Sequence, residues 1–284
     1  MLQDIERHLA CPHCAQALAL HERTLRCAAG HSFDLAKQGY VSLLAGDAHT
    51  GTGDTAEMVA ARADFLAAGH YRPIADALAS AAAAAAVDGD RDVDGAGFVA
   101  DLGAGTGYYL AQVLDALPGR AGAALDISKF ALRRAARAHP RIGAVVCDAW
   151  RPLPLRDGCA DLMLNVFAPR NGPEIRRVLR PGGTLLLVAP TGRHLRELVG
   201  ALGLLSVDED KQRRIDDKLG PYLTPVGRQE VEFTLRLGAA DVRTVVGMGP
   251  SAWHTDARRL EDALAGLADP VEVTASVTVA EYRR

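Results

Sequence analysis

Residues 98–107 read Phe-Val-Ala-Asp-Leu-Gly-Ala-Gly-Thr-Gly. A short apolar run that meets an acid and then alternating glycines describes a strand turning sharply into a helix. Glycines at such a bend let the backbone approach a ligand without a Cβ in the way. The spacing is G-x-G-x-G over Gly103, Gly105 and Gly107, with Asp101 two residues ahead of the first glycine. A dinucleotide site wants its third glycine one place later. A ligand with no pyrophosphate to cradle fits better, and S-adenosylmethionine, with its methionine part in the bend, is such a ligand.

The surrounding pattern alternates strands with helices. Tyr108–Leu117 reads as a helix, AGAALDIS (121–128) as a strand, and Lys129–Ala138 as a helix. IGAVVCDAW (142–150) and CADLMLNVFAP (159–169) are further strands, followed by a helix over Glu174–Leu179, an RPGG turn and TLLLVAP (184–190). Strands joined through helices imply a parallel, doubly wound sheet. VEFTLRL (231–237) and VEVTASVTVAEY (271–282) come late and imply an antiparallel strand closing one edge. The expected class is therefore α/β, a doubly wound, Rossmann-like sheet of seven mostly parallel strands, and an S-adenosylmethionine site in its glycine bend would make it a class I methyltransferase core. Ligands of such sheets bind beyond the carboxyl ends of the strands. Asp126 ends the second strand, where a carboxylate accepts from ribose hydroxyls. Asp148 ends the third, where it accepts from an adenine amino group. For each acid taken alone, a helix cap or a loop turn is the commoner reading.

Ahead of this core stand Cys11, Cys14, Cys27 and His31, spaced C-x2-C-x12-C-x3-H. Two thiolates on one tight turn and a second ligand pair close a tetrahedron around zinc. Four protein ligands leave no open position, so the metal is structural. Gly30 suits the sharp turn of the second knuckle. So short a segment buries too little apolar surface to fold alone, and a metal contributes on the order of 10 kcal/mol. The division expected is a zinc-binding RNA-recognition module at 1–45, a linker (GDAHTGTGD) and helices at 46–97, and a methyltransferase domain at 98–284. A helix capped by Asp54 and running to Ala67, a second from Pro73 into the alanine tract, and a loop at 88–97 fill the middle segment.

The chain has 284 residues, 49% of them apolar, and a net charge of −3. That is enough for one large α/β domain plus a small module, and it does not by itself announce nucleic-acid binding. No uncharged apolar run reaches about 18 residues, so a membrane span is not expected. The first residues lack the basic-then-apolar order of a secretory signal. Five cysteines, three of them on zinc, leave Cys147 and Cys159 as small buried hydrophobes in a reducing, cytoplasmic setting. Only four of the 32 basic residues are lysines. The arginines cluster at 133–141, 176–180 and 193–196. They are solvated helix faces unless they converge beside the cleft.

With both motifs placed, the chain resembles the large-subunit ribosomal RNA guanine-N1 methyltransferases. The likeness runs through CPHC…CAAGHSFD, AKQGYVSLL, AEMVAARADFLAAGHY, DLGAGTGYY, LNVFAPRN, RPGGTLLLVAP and MGPSAWH. Within the family it is similar to the branch that protects actinomycete producers of tylosin- and mycinamicin-type macrolides by methylating a guanine in a 23S rRNA hairpin near the exit tunnel. The resemblance implies Tyr71 as a lid over the cofactor, Gly105 and Thr106 on the methionine side, and His194 as a further cofactor contact. It also implies a homodimer whose zinc modules flank an RNA cleft.

Methyl transfer to N1 of guanine is an in-line displacement that must also shed the N1 proton. NVFAPR, after the fourth strand, is the expected reaction segment. Asn165 would position the base edge, Phe167 would pack on guanine or cofactor, and Arg170 would face O6 or a phosphate. Phe167 reads equally well as part of a plain strand terminus. His254 is a candidate helper, and Trp253 is a candidate stacking or packing residue. Two competing functions share these features: a methyltransferase of small molecules, and a zinc-ribbon RNA-binding protein that has lost catalysis.

Overall fold

The structure, a computed structural model, describes residues 1–44, 46, 53–88, 97–202, 210–248 and 257–284. Most of the linker at 46–54, most of the loop at 88–97, and Trp253 and His254 lie outside the described residues. In chain order the elements begin with helix α1 (Leu2–Ile5) and strands β1 (Leu18–His21), β2 (Thr24–Cys27), β3 (Ser32–Asp34) and β4 (Tyr40–Ser42). Helices α2 (Ala56–Ala67) and α3 (Arg72–Asp88) lead to β5 (Phe98–Leu102), α4 (Tyr108–Ala116), β6 (Ala121–Asp126), α5 (Lys129–Ala138) and β7 (Ile142–Val146). Then follow β8 (Ala160–Val166), α6 (Gly172–Val178), β9 (Leu179–Pro190), α7 (Arg196–Leu202) and α8 (Lys211–Leu219). The chain closes with β10 (Thr224–Leu237), α9 (Ala239–Gly247), α10 (Ala257–Ala265) and β11 (Val271–Arg283).

The central strands are apolar without alternation because helices cover both faces. Every residue of β5 and β7 is buried. Among the described residues the main sheet has eight strands in the order β10-β11-β9-β8-β5-β6-β7-β4. From β9 to β4 every pair is parallel. Beyond β9 the edge is antiparallel, with β11 against β9 and β10 against β11. The seven strands expected are present, but the closing edge holds a pair of long strands rather than one.

The eighth strand comes from the N-terminal segment. Tyr40↔Ala144, Val41↔Val145 and Ser42↔Val146 pair in parallel, and Leu43 N–H donates to Val146 O at 2.9 Å. Ile5 packs onto β7 at Gly143, where an added Cβ would fall 2.4 Å from Ile5 Cδ1. Leu2, Ile5, Leu9, Leu25 and Val41 belong to the same buried cluster as Phe98, Leu125 and Val145. The zinc segment is thus built onto the sheet rather than tethered to it.

Local differences have simple causes. Helix α2 is capped by Thr55, whose hydroxyl accepts from Met58 N–H at 3.2 Å, rather than by Asp54, which pairs with Arg62. Helix α6 starts at Gly172, behind Asn171, which accepts from Glu174 N–H. The RPGG turn is absorbed into β9, with Gly182 at φ 73° supplying the bend.

Candidate functional site

The glycine bend after β5 is left-handed three times, with φ of 78° at Gly103, 54° at Gly105 and 78° at Gly107. The three glycines serve different neighbours. A Cβ on Gly103 would lie 2.4 Å from Ala168 Cβ, and one on Gly107 would lie 3.0 Å from Ala135 Cα. These two let the bend close against the protein itself. Only Gly105 faces open space, with the Arg62 side chain nearest at 3.8 Å. Room for a ligand therefore lies at Gly105. Thr106 beside it is buried.

Asp126 holds the bend in place. Its two oxygens accept from Gly105 N–H at 2.9 Å and Ser128 N–H at 2.8 Å. Burial raises its pKa despite these bonds. Asp101 is 1% exposed, and its Oδ1 has no hydrogen-bond partner. Burial, then the Asp126 charge, pushes its carboxyl up to about 7. An unpaired acid under an open bend is a socket for a cation. S-adenosylmethionine carries an ammonium and a sulfonium, so the donor set fits it. Asp148 sits at the end of β7, its Oδ1 accepting from Trp150 N–H at 2.9 Å.

Across the bend stands an aromatic wall. Tyr71, Tyr109, His194 and Phe167 contribute it, with Phe167 6.2 Å from Tyr71, 6.5 Å from Tyr109 and 6.0 Å from His194 between ring centroids. Tyr71 Oη and His194 Nε2 are 3.1 Å apart. His194 Nδ1 accepts from Ser276 N–H at 3.2 Å, so a neutral ring carries its proton on Nε2 and donates it to Tyr71. That leaves the Tyr71 hydroxyl proton free for a ligand. Burial raises the Tyr71 phenol well above its usual range. Burial and the charge of Lys211 push the His194 imidazole down to about 4.

The segment after β8 is set by a clamp. Asn165 is 0% exposed, and its Nδ2 donates to Leu102 O at 3.3 Å and Pro169 O at 2.7 Å. The clamp links the end of β5 to the loop carrying Phe167. Its amide donors are spent on the backbone, and only the unpartnered Oδ1 remains for any other role. Phe167 sits at φ 53°, a conformation that non-glycine residues adopt only when their surroundings enforce it. Its ring is 40% exposed. Arg170 is half-buried, with an Nε that has no hydrogen-bond partner. Burial lowers its pKa, and burial together with the Arg170 charge lowers that of Lys211.

Cys11, Cys14, Cys27 and His31 offer four ligand atoms within 4.8 Å of one another. Cys11 Sγ–His31 Nδ1 is 3.5 Å, Cys27 Sγ–His31 Nδ1 3.4 Å and Cys14 Sγ–Cys27 Sγ 3.7 Å. Tetrahedral zinc with ordinary Zn–S and Zn–N bonds places neighbouring ligands about 3.4–3.8 Å apart. The tetrahedron fits that metal. The knuckle turns use Ala15 at φ 58° and Gly30 at φ 88°.

One or more arginines of each cluster are engaged within the protein. Arg141 donates to the carbonyls of Leu117 and Arg120, Arg177 to Glu174, Asp157 and two carbonyls, and Arg193 pairs with Glu230 and Glu232. Sequence reasoning missed Tyr109 and Arg62. Tyr109 directly follows the glycine bend, and that position was the available signal. Arg62 had none, because only the packing of α2 brings it over Gly105.

The family model described as "RlmA, N-terminal" matches residues 9–48, and one described as "Methyltransferase domain" matches residues 99–183. A protein of Micromonospora griseorubida, named for 23S rRNA guanine-N1 methylation, is 56% identical over all of this chain and 99% of its own length. The 23S rRNA (guanine(748)-N(1))-methyltransferase of Streptomyces fradiae is 51% identical over 98% of this chain and 97% of its own. The chain belongs to the 23S rRNA guanine-N1 methyltransferase family. A Bacillus subtilis relative, YxjB, is 31% identical over 66% of each chain. Membership makes this chain an S-adenosylmethionine-dependent methyltransferase that carries a structural zinc ribbon. No helix among the described residues is long and apolar enough to cross a membrane.

Proposed function

We propose that this enzyme methylates N1 of one guanine in a 23S rRNA hairpin near the peptide exit tunnel, at the position for which the Streptomyces fradiae relative is named. We further propose that this protects a macrolide producer of the tylosin and mycinamicin kind. The observation that carries the reading is the 51% identity to that relative, which spans the zinc ribbon and the cleft together. The reading includes a cytoplasmic homodimer, with residues 1–45 as the RNA-recognition module, 46–97 as linker and helices, and 98–284 as the methyltransferase domain.

When bound, S-adenosylmethionine supplies a methyl group activated on its sulfonium. Gly105 and Thr106 would line its methionine part, Asp101 its ammonium, Asp126 its ribose and Asp148 its adenine. Tyr71 and His194 would cover it. Phe167 and the wall of Tyr71 and Tyr109 would hold the guanine against the cofactor and exclude water. N1 would have to give up its proton to solvent before it is covered, and that loss would leave negative charge shared with O6. Arg170 and Lys211, both partly buried, would provide positive charge on that side. Asn165 keeps the Phe167 turn in register.

The test is methylation of a 23S rRNA hairpin transcript with labelled cofactor. The expected product is 1-methylguanosine in digested RNA and none when the target guanine is replaced by adenine. Label entering metabolite extracts and not the transcript overturns the reading in favour of a small-molecule enzyme. RNA binding with no cofactor binding favours a non-catalytic ribbon protein. Expression in a macrolide-sensitive host should raise tolerance to tylosin-type drugs, and unchanged sensitivity removes the resistance role.

A further inference from the structure

Trp150 has no part in the chemistry above, yet it is 64% exposed. Of the four large apolar residues exposed among the described ones, Met1, Trp150, Phe167 and Val226, only two are aromatic. Both of these lie beyond the carboxyl ends of parallel strands of the same sheet, Trp150 after β7 and Phe167 after β8, with β5 and β6 between them. The chain is sparing with aromatics, at 5% of residues, and has only two tryptophans.

The Trp150 turn is fixed. Its N–H donates to Asp148 Oδ1, and Arg151 N–H donates to Asp148 O at 3.2 Å. Ala149 O accepts from Asn171 Nδ2 at 3.0 Å, which ties the turn to the residue directly after Arg170. On its other side, β7 pairs with β4 of the zinc segment. The indole therefore stands on the rim between the zinc ribbon and the Phe167–Arg170 loop. Arg151, exposed beside it, and Arg170, across the Asn171 bond, give the rim positive charge. A rigid, exposed indole in a cationic setting suits a single-stranded nucleic acid, whose bases offer π-faces and whose backbone is anionic.

We propose that Trp150 is a stacking platform for an unpaired RNA base adjoining the methylated guanine. The inference rests on the rRNA reading and assigns it a contact of its own. Stacking of this kind is sequence-tolerant, so the platform holds the displaced strand in place and leaves selection of the guanine to the cleft.

Trp150→Ala should raise KM for the hairpin about tenfold and leave kcat within about twofold. Trp150→Phe should retain most of the affinity. Both should melt like the parent, since the side chain is exposed, and bind S-adenosylhomocysteine equally well. Fluorescence gives a readout independent of turnover. Hairpin RNA should quench emission in the parent but not in Trp150→Phe, and S-adenosylhomocysteine alone should leave emission unchanged. Quenching by S-adenosylhomocysteine alone that is present in the parent and absent in Trp150→Phe overturns the proposal and assigns the ring to adenine. RNA binding seen by anisotropy, with no quenching and an unaltered KM in Trp150→Ala, overturns it too while leaving the rRNA reading intact. No RNA binding by the parent removes both.

Discussion

Tyr71 and His194 meet across the cofactor cleft through a 3.1 Å contact between Oη and Nε2, joining the N-terminus of α3 to the loop after β9. His194 is held neutral for this, its imidazole pushed down to about 4 by burial and then by Lys211. The unfolded chain binds a proton near its ordinary value of about 6.5, so the unfolded state gains protons first as pH falls. The stabilisation is fully present above pH 6.5 and is lost as pH falls toward 4. His8, stacked on Phe98 and pushed down to about 4 by burial and Arg7, adds a contribution of the same sign. Urea midpoints measured from pH 7.5 to 4 should fall through this window, and His194→Gln should fall less steeply than the parent. Parallel slopes would contradict the assignment.

Asp101 should show a conflict between stability and function. Its buried carboxyl is raised to about 7, so charging it in the unliganded protein opposes folding as pH rises from about 4. Asp101→Asn keeps the shape and removes the charge. At pH 8 its Tm without ligand should equal or exceed that of the parent. The Tm increase that S-adenosylhomocysteine gives the parent should shrink to near nothing.

Gly103 and Gly105 should fail in different ways. Gly103→Ala drives a methyl group into Ala168 and adds left-handed strain, a combination worth about 2–4 kcal/mol. It should lower the urea midpoint strongly. Gly105→Ala meets nothing closer than 3.8 Å, so only backbone strain of about 1–2 kcal/mol applies. Its calorimetric affinity for the cofactor should nevertheless fall tenfold or more.

Asn165→Ala removes two clamp bonds to backbone carbonyls and should cost about 1–3 kcal/mol in urea unfolding. It should lower single-turnover methylation more than cofactor affinity, because the Phe167 turn loses its support. Phe167→Gly relaxes a φ of 53° and removes the ring. It should unfold no more easily than the parent while turnover collapses. A stable, fully active Phe167→Gly enzyme would exclude the ring from the reaction.

Chelation should destabilise more than the ribbon. Cys11 and Cys27 share one buried cluster with Phe98 and Val145 in the central strands. Zinc removal should therefore lower the Tm of the whole protein, and Cys27→Ser should behave the same way without chelator. Restoration of the parent's Tm by added zinc, but not by magnesium, checks the ligand set.

Much of this was legible in the sequence. The runs at 98–102, 121–126, 142–146 and 160–166 are predominantly apolar and bounded by glycines or acids, and the zinc spacing is self-explanatory. Tyr40-Val-Ser was not legible as a strand, because three residues carry no period, and so the eighth strand went unseen. Asn165 looked like a hand reaching for substrate, because a polar residue at a strand end normally faces the ligand. Its neighbours Leu164 and Val166 are both buried, so no alternation revealed which way the amide pointed. The role of the arginine clusters stayed open in the sequence for a related reason. Charge in a sequence does not show which carboxylate or carbonyl has already claimed it.

The parallel pairing of Tyr40–Ser42 with β7 gives the enzyme something like a caliper. One jaw is the metal ribbon and the other is the Phe167 loop, and a shared sheet sets their spacing with no hinge between them. An RNA hairpin reaching both must match that gap in its own folded shape. On the proposed RNA reading, stem length and loop size would screen substrates before any base edge is read.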